Sequence, residues 1–244
     1  MQRVLVTGGS RGIGREIVRK FASAGDAVFF SYATDVQGAD QTARQCPRAI
    51  PFAADLRTED GPERLVGAAK QQLGGIDVLV NCAGIYPHAA FTDTPPSMLA
   101  DVMRINFESP YRLMQLTAEL MTAEEGGAIV NVTSINANSP DAGLSAYDAS
   151  KAALTQAVRT AALELGAHGI RVNAVAPGLV DAPELKKAAP ARHAAFLAHA
   201  PLGKLVSPKD IAEAVFFLAS PAAAAITGQT LVVDAGVTLA GYSA

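Results

Sequence analysis

Cysteine is scarce in this chain, and so is net charge of either sign. Two cysteines in 244 residues, Cys46 and Cys82, are too few for a disulfide framework and lack any metal-ligand spacing. Each reads as a free, reduced thiol. A formal net charge of −3 leaves no electrostatic footprint for nucleic acid. No basic amphipathic stretch points to a membrane surface, and no apolar run reaches transmembrane length. Residues Met1 to Thr7 are too short and too strand-like for a signal peptide. Long Ser/Pro/Gly linkers, charge blocks and internal repeats are also missing. What remains is a chain half hydrophobic, with ample material for one core. The expectation is a single domain over residues 1–244, acting in the cytoplasm on a small molecule, with no nucleic-acid, membrane or metal partner.

What is present centres on Ser145 to Lys151, which reads Ser-Ala-Tyr-Asp-Ala-Ser-Lys. The residues after it are apolar with helical period, from Ala152 through Leu165. Tyr147 and Lys151 therefore share one helix face. An ammonium beside a phenol favours the phenolate, which predicts a Tyr147 pKa below its ordinary value and a role in proton transfer. The pair by itself also fits an ordinary surface contact on an amphipathic helix, so the rest of the chain has to decide.

Near the start, Val4-Leu5-Val6 fits a buried parallel strand. Thr7-Gly-Gly-Ser-Arg-Gly-Ile-Gly14 follows, then a helical pattern with Ile17, Val18 and Phe21 on one face. Strand, glycine turn and helix together bring backbone N–H groups and a helix N-terminus to a phosphate. The glycines stand at Gly8, Gly12 and Gly14, not in the common G-x-G-x-x-G spacing. Strand and helix patterns then alternate. Strands are expected at Ala27–Tyr32, Arg48–Ala53, Ile76–Val80, Ala128–Val132, Ile170–Val175 and Thr230–Val233. A single long helix is expected over Ser97–Thr122, opened by Pro95-Pro96. This alternation predicts an α/β fold, a seven-stranded parallel sheet with helices on both faces. Ligands bind such sheets at the carboxyl ends of the strands. The notable loop residues sit there: Gly8–Gly14, Asp55, Asn81–Gly84, Ser134 and Pro177-Gly178.

With these motifs in place the chain resembles the short-chain dehydrogenase/reductase family, in its single-domain branch. The resemblance runs the length of the chain. It rests on Thr7–Gly14, Asn81-Cys-Ala-Gly84, Asn106, Ser134, Tyr147-Asp-Ala-Ser-Lys151, Pro177-Gly178 and the ending Ile226-Thr-Gly-Gln-Thr-Leu-Val-Val-Asp234. It implies one Rossmann-like doubly wound domain and a ketone–alcohol oxidoreductase. Tyr147 is then the general acid or base, and Ser134 binds the substrate carbonyl oxygen. Lys151 binds the nicotinamide ribose and lowers the Tyr147 pKa. Asn106 anchors a water that links Lys151 to solvent. Such a donor pair stabilises the charge that hydride transfer builds on oxygen.

The same resemblance places the cofactor against Gly8, Ser10, Arg11, Gly12, Ile13 and Gly14 in the glycine loop. Tyr32, Asp55 and Leu56 follow at the second and third strand ends. Asn81, Ala83 and Gly84 come after the fourth strand, Tyr147 and Lys151 from the central helix, and Pro177, Gly178 and Val180 after the sixth. Tyr32 stands where an NAD-binding member carries an acid for the ribose 2′-OH. Arg11 suits a 2′-phosphate, with Ser31 and Thr34 able to add hydrogen bonds. The expectation is NADP(H), with NAD(H) the alternative that Asp35 would favour.

The segment 181–207 corresponds to the family's lid. Leu185, Phe196, Leu197, Leu202 and Leu205 give it an apolar character, and His193 and His199 read as lid surface. Small and apolar residues around the site (Ile85, Tyr86, Ile135, Ala137, Ala142, Leu144) suit a substrate with an apolar part. Where the family often has threonine beyond Pro-Gly, this chain has Val180-Asp181-Ala182-Pro183, which leaves the carboxamide contact open. The pattern is most similar to the 3-oxoacyl-acyl-carrier-protein reductases, implying a 3-oxoacyl thioester or similar β-keto substrate. A dehydrogenase of a sugar, polyol or steroid would carry the same residues. So would a non-catalytic dinucleotide sensor, although it would have no need of the full set Asn106, Ser134, Tyr147 and Lys151. The resemblance also implies a dimer or tetramer.

Overall fold

The computed structural model describes residues 1–123, 126–181, 187 and 190–240. Its centre is a seven-stranded, all-parallel sheet in the order β3-β2-β1-β4-β5-β6-β7. The strands are β1 (Arg3–Val6), β2 (Ala27–Tyr32), β3 (Ala49–Ala53), β4 (Val78–Asn81), β5 (Gly127–Val132), β6 (Ile170–Pro177) and β7 (Thr230–Val233). β1 pairs with both β2 and β4, Leu5 lying opposite Phe29 on one side and Leu79 on the other. The chain runs outward from β1 through β3, then returns to lay β4 on the other side. That reversal opens a crevice above the carboxyl ends of β1 and β4.

Helices cover both faces, as the largely apolar central strands require. Alternate residues of β1 divide between two cores. Val4 and Val6 join Ile17, Val18 and Phe21 of α1 (Gly12–Ser23) and Ile211 and Val215 of α8 (Pro208–Ala219). Leu5 joins Leu65 of α3 (Gly61–Leu73), Leu113 and Met121 of α5 (Ser109–Ala123) and Leu154 and Val158 of α6 (Ser145–Leu165). α2 (Val36–Gln45) packs beside β3, α4 (Pro96–Met103) leads into α5, and α7 (Pro190–His199) packs Phe196 into the core. α8 begins with a capping box of Ser207 and Asp210. At its other end Arg171 donates to the carbonyls of Leu218, Ala219 and Ser220.

The helix expected over Ser97–Thr122 is interrupted. Residues Arg104–Glu108 form a π-turn between α4 and α5, with Ser109 N–H donating back five residues to Arg104. Pro110 supplies the physical reason: it has no N–H for the Asn106 carbonyl four residues earlier, so the α-helical ladder cannot continue through this point. Of the apolar lid residues, Phe196 and Leu205 are buried while Leu197 and Leu202 are exposed. Leu185, Ala182 and Pro183 lie outside the described residues.

Candidate active site

The glycine turn is shaped by close approach. Gly8 has φ of +74°, a conformation that costs glycine little. A Cβ on Gly14 would stand 2.1 Å from the Gly8 carbonyl oxygen, so α1 can start against the turn only with glycine there. Arg15 then ties the turn down, donating to the Ser10 carbonyl and to Thr42 Oγ1. Thr42 Oγ1 bonds the Gly9 carbonyl at 3.2 Å. The first turn of α1 has no side-chain cap at Arg11 and no acidic residue. Its N–H groups and positive dipole end face the crevice unsatisfied, a cradle that fits a pyrophosphate. Arg11 and Gly12 are exposed at its edge, Ser10 is buried, and Ile13 packs on the core.

Thr7 Oγ1 accepts from both the Cys82 and the Ala83 N–H, at 2.9 and 3.0 Å. It thereby locks the loops after β1 and β4 together. A buried threonine beginning a glycine loop was the available signal for this, but its partner was not readable. Asn81 is 2% exposed. Its Nδ2 donates to Asn131 Oδ1 at 2.9 Å and to the Pro110 carbonyl, so the side chain braces β4 against β5 and the helix break. Asn131 is a fully buried polar residue inside an apolar strand, which was its sequence signal.

Other expected cofactor positions fall at strand ends around the same crevice. Tyr32 ends β2 half-buried, and Leu56 is buried. The Asp55 carboxylate is held by Arg57, whose Nη2 donates at 2.8 Å and which keeps the carboxyl below its usual range. Ser31 does not reach outward: it is 2% exposed, and its Oγ accepts from the Gly8 N–H. Asp35 caps α2, accepting from the Gly38 N–H at 2.9 Å. Gly178 follows β6 against Asp234, and Val180 forms a parallel bridge to Val206.

At the other end of the crevice the structure brings Asn106, Ser134, Tyr147 and Lys151 together. Ser134 follows the end of β5, and its hydroxyl lies near enough to the Tyr147 phenol to lower that group's pKa. Lys151, 5% exposed, lies 5.7 Å from the centre of the Tyr147 ring and donates to the Val132 carbonyl at 2.8 Å. Asn106 is fully buried in the π-turn. It accepts from the Ile85 N–H at 2.9 Å and donates to the Ile85 carbonyl at 2.8 Å and to Ser150 Oγ. It pins the loop after β4 onto α6.

The electrostatics correct one expectation. Burial pushes the Tyr147 phenol up to about 12, outweighing the Ser134 hydrogen bond that lowers it. The predicted lowering by Lys151, whose own pKa burial brings down to about 8, does not offset the desolvation of the phenol. Burial likewise raises Cys82, beside Lys151, to about 12. Tyr86 stands at the mouth, 68% exposed, with its ring edge-on to Tyr147 at 6.2 Å. His193 also departs from the surface reading: it is 9% exposed and shares a 3.0 Å hydrogen bond with Asp181, which draws the ring inward.

Residues 8–238 match the family model described as enoyl-(acyl carrier protein) reductase. The chain is 36% identical to an L-rhamnose 1-dehydrogenase (NAD(P)(+)) of Azotobacter vinelandii, over 96% of this chain and 95% of that one. It is 35% identical to a 3-oxoacyl-acyl-carrier-protein reductase of Vibrio cholerae, over 96% of each. Among solved structures it superposes on a 7α-hydroxysteroid dehydrogenase complexed with NADH and 7-oxo glycochenodeoxycholic acid, with a TM-score of 0.91 and 35% identity, over 96% of this chain and 92% of that one. With the sheet order, the glycine turn and the Ser134–Tyr147–Lys151 grouping, these likenesses make the chain a member of the short-chain dehydrogenase/reductase family of oxidoreductases.

Proposed function

We propose that the chain interconverts a ketone and a secondary alcohol, with Tyr147 passing the proton at oxygen. The observation that carries this is the Ser134 hydroxyl beside the Tyr147 phenol, with Lys151 buried next to that ring. In reduction, negative charge grows on the carbonyl oxygen, and two fixed hydroxyl donors at that point stabilise it in a water-poor site. With its pKa at about 12, Tyr147 keeps its proton at neutral pH, as an acid in the reducing direction must. In the oxidising direction it must first lose that proton, so alcohol oxidation gains as pH rises. In this reading Lys151 binds the ribose hydroxyls, and Asn106 anchors a water that returns protons from solvent. A bound nicotinamide supplies or accepts the hydride. The uncapped start of α1 would hold its pyrophosphate.

NADP(H) is the proposed cofactor. Arg11 is exposed with no ion-pair partner among the described residues, and the Asp35 carboxylate is engaged with Gly38. NAD(H) is the alternative, since the superposed steroid dehydrogenase carries NADH. For substrate we propose a 3-oxoacyl thioester or similar β-keto compound. The second reading, a sugar, polyol or steroid alcohol, is favoured by the exposed Tyr86 ring beside Tyr147, a face on which a ring can stack. A dimer or tetramer, acting in the cytoplasm, belongs to the same proposal.

The test follows absorbance at 340 nm, with NADPH or NADH against acetoacetyl thioester and simple ketones, and with NADP+ or NAD+ against L-rhamnose and a 7-hydroxysteroid. Thioester turnover with NADPH supports the first reading. Turnover confined to the sugar or steroid moves the substrate to the second. Cofactor binding with no turnover on any carbonyl favours the sensing role. Tyr147→Phe should abolish turnover; activity near the wild-type rate would rule out the proposed acid.

A further inference from the structure

Asp148 follows Tyr147 directly and turns its carboxylate toward the end of β5. One oxygen accepts from Asn136 Nδ2 at 2.8 Å, the other from the Asp141 N–H at 3.0 Å. Neither contact is to a cation. An ionised carboxylate is an acceptor only, so it fixes which way the Asn136 amide points. The Asn136 N–H donates to Ser134 Oγ at 3.1 Å, and Asn136 Oδ1 stands 3.4 Å from the same oxygen. Ser134 is thus held from its own loop, leaving its hydrogen for a carbonyl that displaces the long Asn136 contact.

The same carboxylate leads outward. Asp141, whose backbone it holds, is 8% exposed and pairs through its side chain with Arg192 of α7. The Arg192 guanidinium lies over the Phe196 ring at 5.7 Å, and Phe196 is buried in the core. A continuous polar path therefore runs from α7, through Arg192, Asp141, Asp148 and Asn136, to Ser134. Its one long-range step is the Arg192–Asp141 pair, 51 residues apart in sequence.

We propose that Asp148 is a positioning residue that aims the Ser134 hydroxyl and makes that aim depend on the Arg192–Asp141 tie to α7. This rests on Ser134 and Tyr147 being the pair that binds the carbonyl oxygen. It gives the seating of α7 a direct consequence at the reacting atom, the kind of coupling by which substrate binding can complete a catalytic set.

The test is steady-state kinetics with NADPH and diacetyl, ethyl acetoacetate and cyclohexanone as probes, on D148A, D148N, N136A, R192Q, the D148A/R192Q double variant and S134A. D148A should lower kcat about ten- to a hundredfold, the scale of a misplaced group, while the KM for NADPH stays within about twofold. N136A should reproduce this and carries the test if D148A fails to fold. D148N should fall between, because its carbonyl keeps Asn136 while its amide faces the Asp141 N–H. R192Q should cost less, and nothing further when added to D148A. Without any ligand, chymotrypsin should cut at Phe196 faster in both D148A and R192Q than in wild type. A folded D148A or N136A with kcat within about twofold of wild type overturns the proposal. Independent, multiplying losses or unchanged cleavage overturn the link to α7. S134A at the wild-type rate would instead sink the carbonyl-binding pair itself, a separate failure.

Discussion

Lys151 is an ammonium kept in a place that penalises it. Burial brings its pKa from 10.5 to about 8, so at neutral pH the folded protein carries a charge it holds less well than the unfolded chain does. This cost is fully present below pH 8 and fades as pH climbs to 10.5, because across that window the unfolded chain binds the proton and the folded one does not. Lys151→Met should therefore abolish turnover yet raise stability at pH 7 by on the order of 2–3 kcal/mol. Denaturant titrations at pH 7 and pH 10.5 check it, the gap between variant and wild type closing at the higher pH. A Lys151→Met protein less stable at pH 7 would mean that the Val132 contact outweighs desolvation. Arg11 belongs to the same scale. A guanidinium bonding a 2′-phosphate is worth about 1.5–3 kcal/mol, so Arg11→Ala should raise the KM for NADPH roughly ten- to a hundredfold and leave NADH nearly unchanged. Equal losses with both cofactors would assign Arg11 to the shared pyrophosphate.

The element that most shapes the site is the α4–α5 pair with its π-turn. Pro110 breaks the ladder, the break swells the helix at Asn106, and the buried amide then reaches Ile85 and Ser150. Asn106→Ala leaves both backbone groups of Ile85 without those partners. At about 1–3 kcal/mol for each buried unsatisfied group, a loss of roughly 2–4 kcal/mol is expected. Hydrogen exchange should quicken at the Ile85 N–H before it quickens in β4. Uniform exchange through β4 would mean that the loop is held by other contacts.

Over the whole molecule, exposed apolar side chains gather at the β7 edge and beyond it: Leu231, Val232 and Leu239. β7 is an edge strand with no neighbour beyond it in the sheet, and such edges are sites of association unless covered. The proposed assembly predicts that Leu231→Lys with Val232→Lys yields a smaller species in light scattering, with the α-helical signal intact. An unchanged mass would place any interface on the α4–α5 side instead.

Periodicity and turn chemistry are local, and what they govern was readable in the chain. β2 and β7 fall on their predicted residues, and Gly8, Ser134, Tyr147 and Lys151 reach one crevice because each follows a strand end or opens a helix above the sheet. Quantities that depend on burial and on distant partners were not readable. The helix break at Asn106 needed Pro110 to be weighed against a helical pattern that runs straight through it. Ser31 and Asp35 read as outward contacts until the fold gave them Gly8 and Gly38. The Tyr147 pKa read as lowered from the spacing to Lys151, and packing reversed it, because desolvation acts on both groups at once. The sequence by itself determined the strand order's raw material and the chemical groups of the site. Only the tertiary structure decided which of those groups meet, and how far each is kept from water.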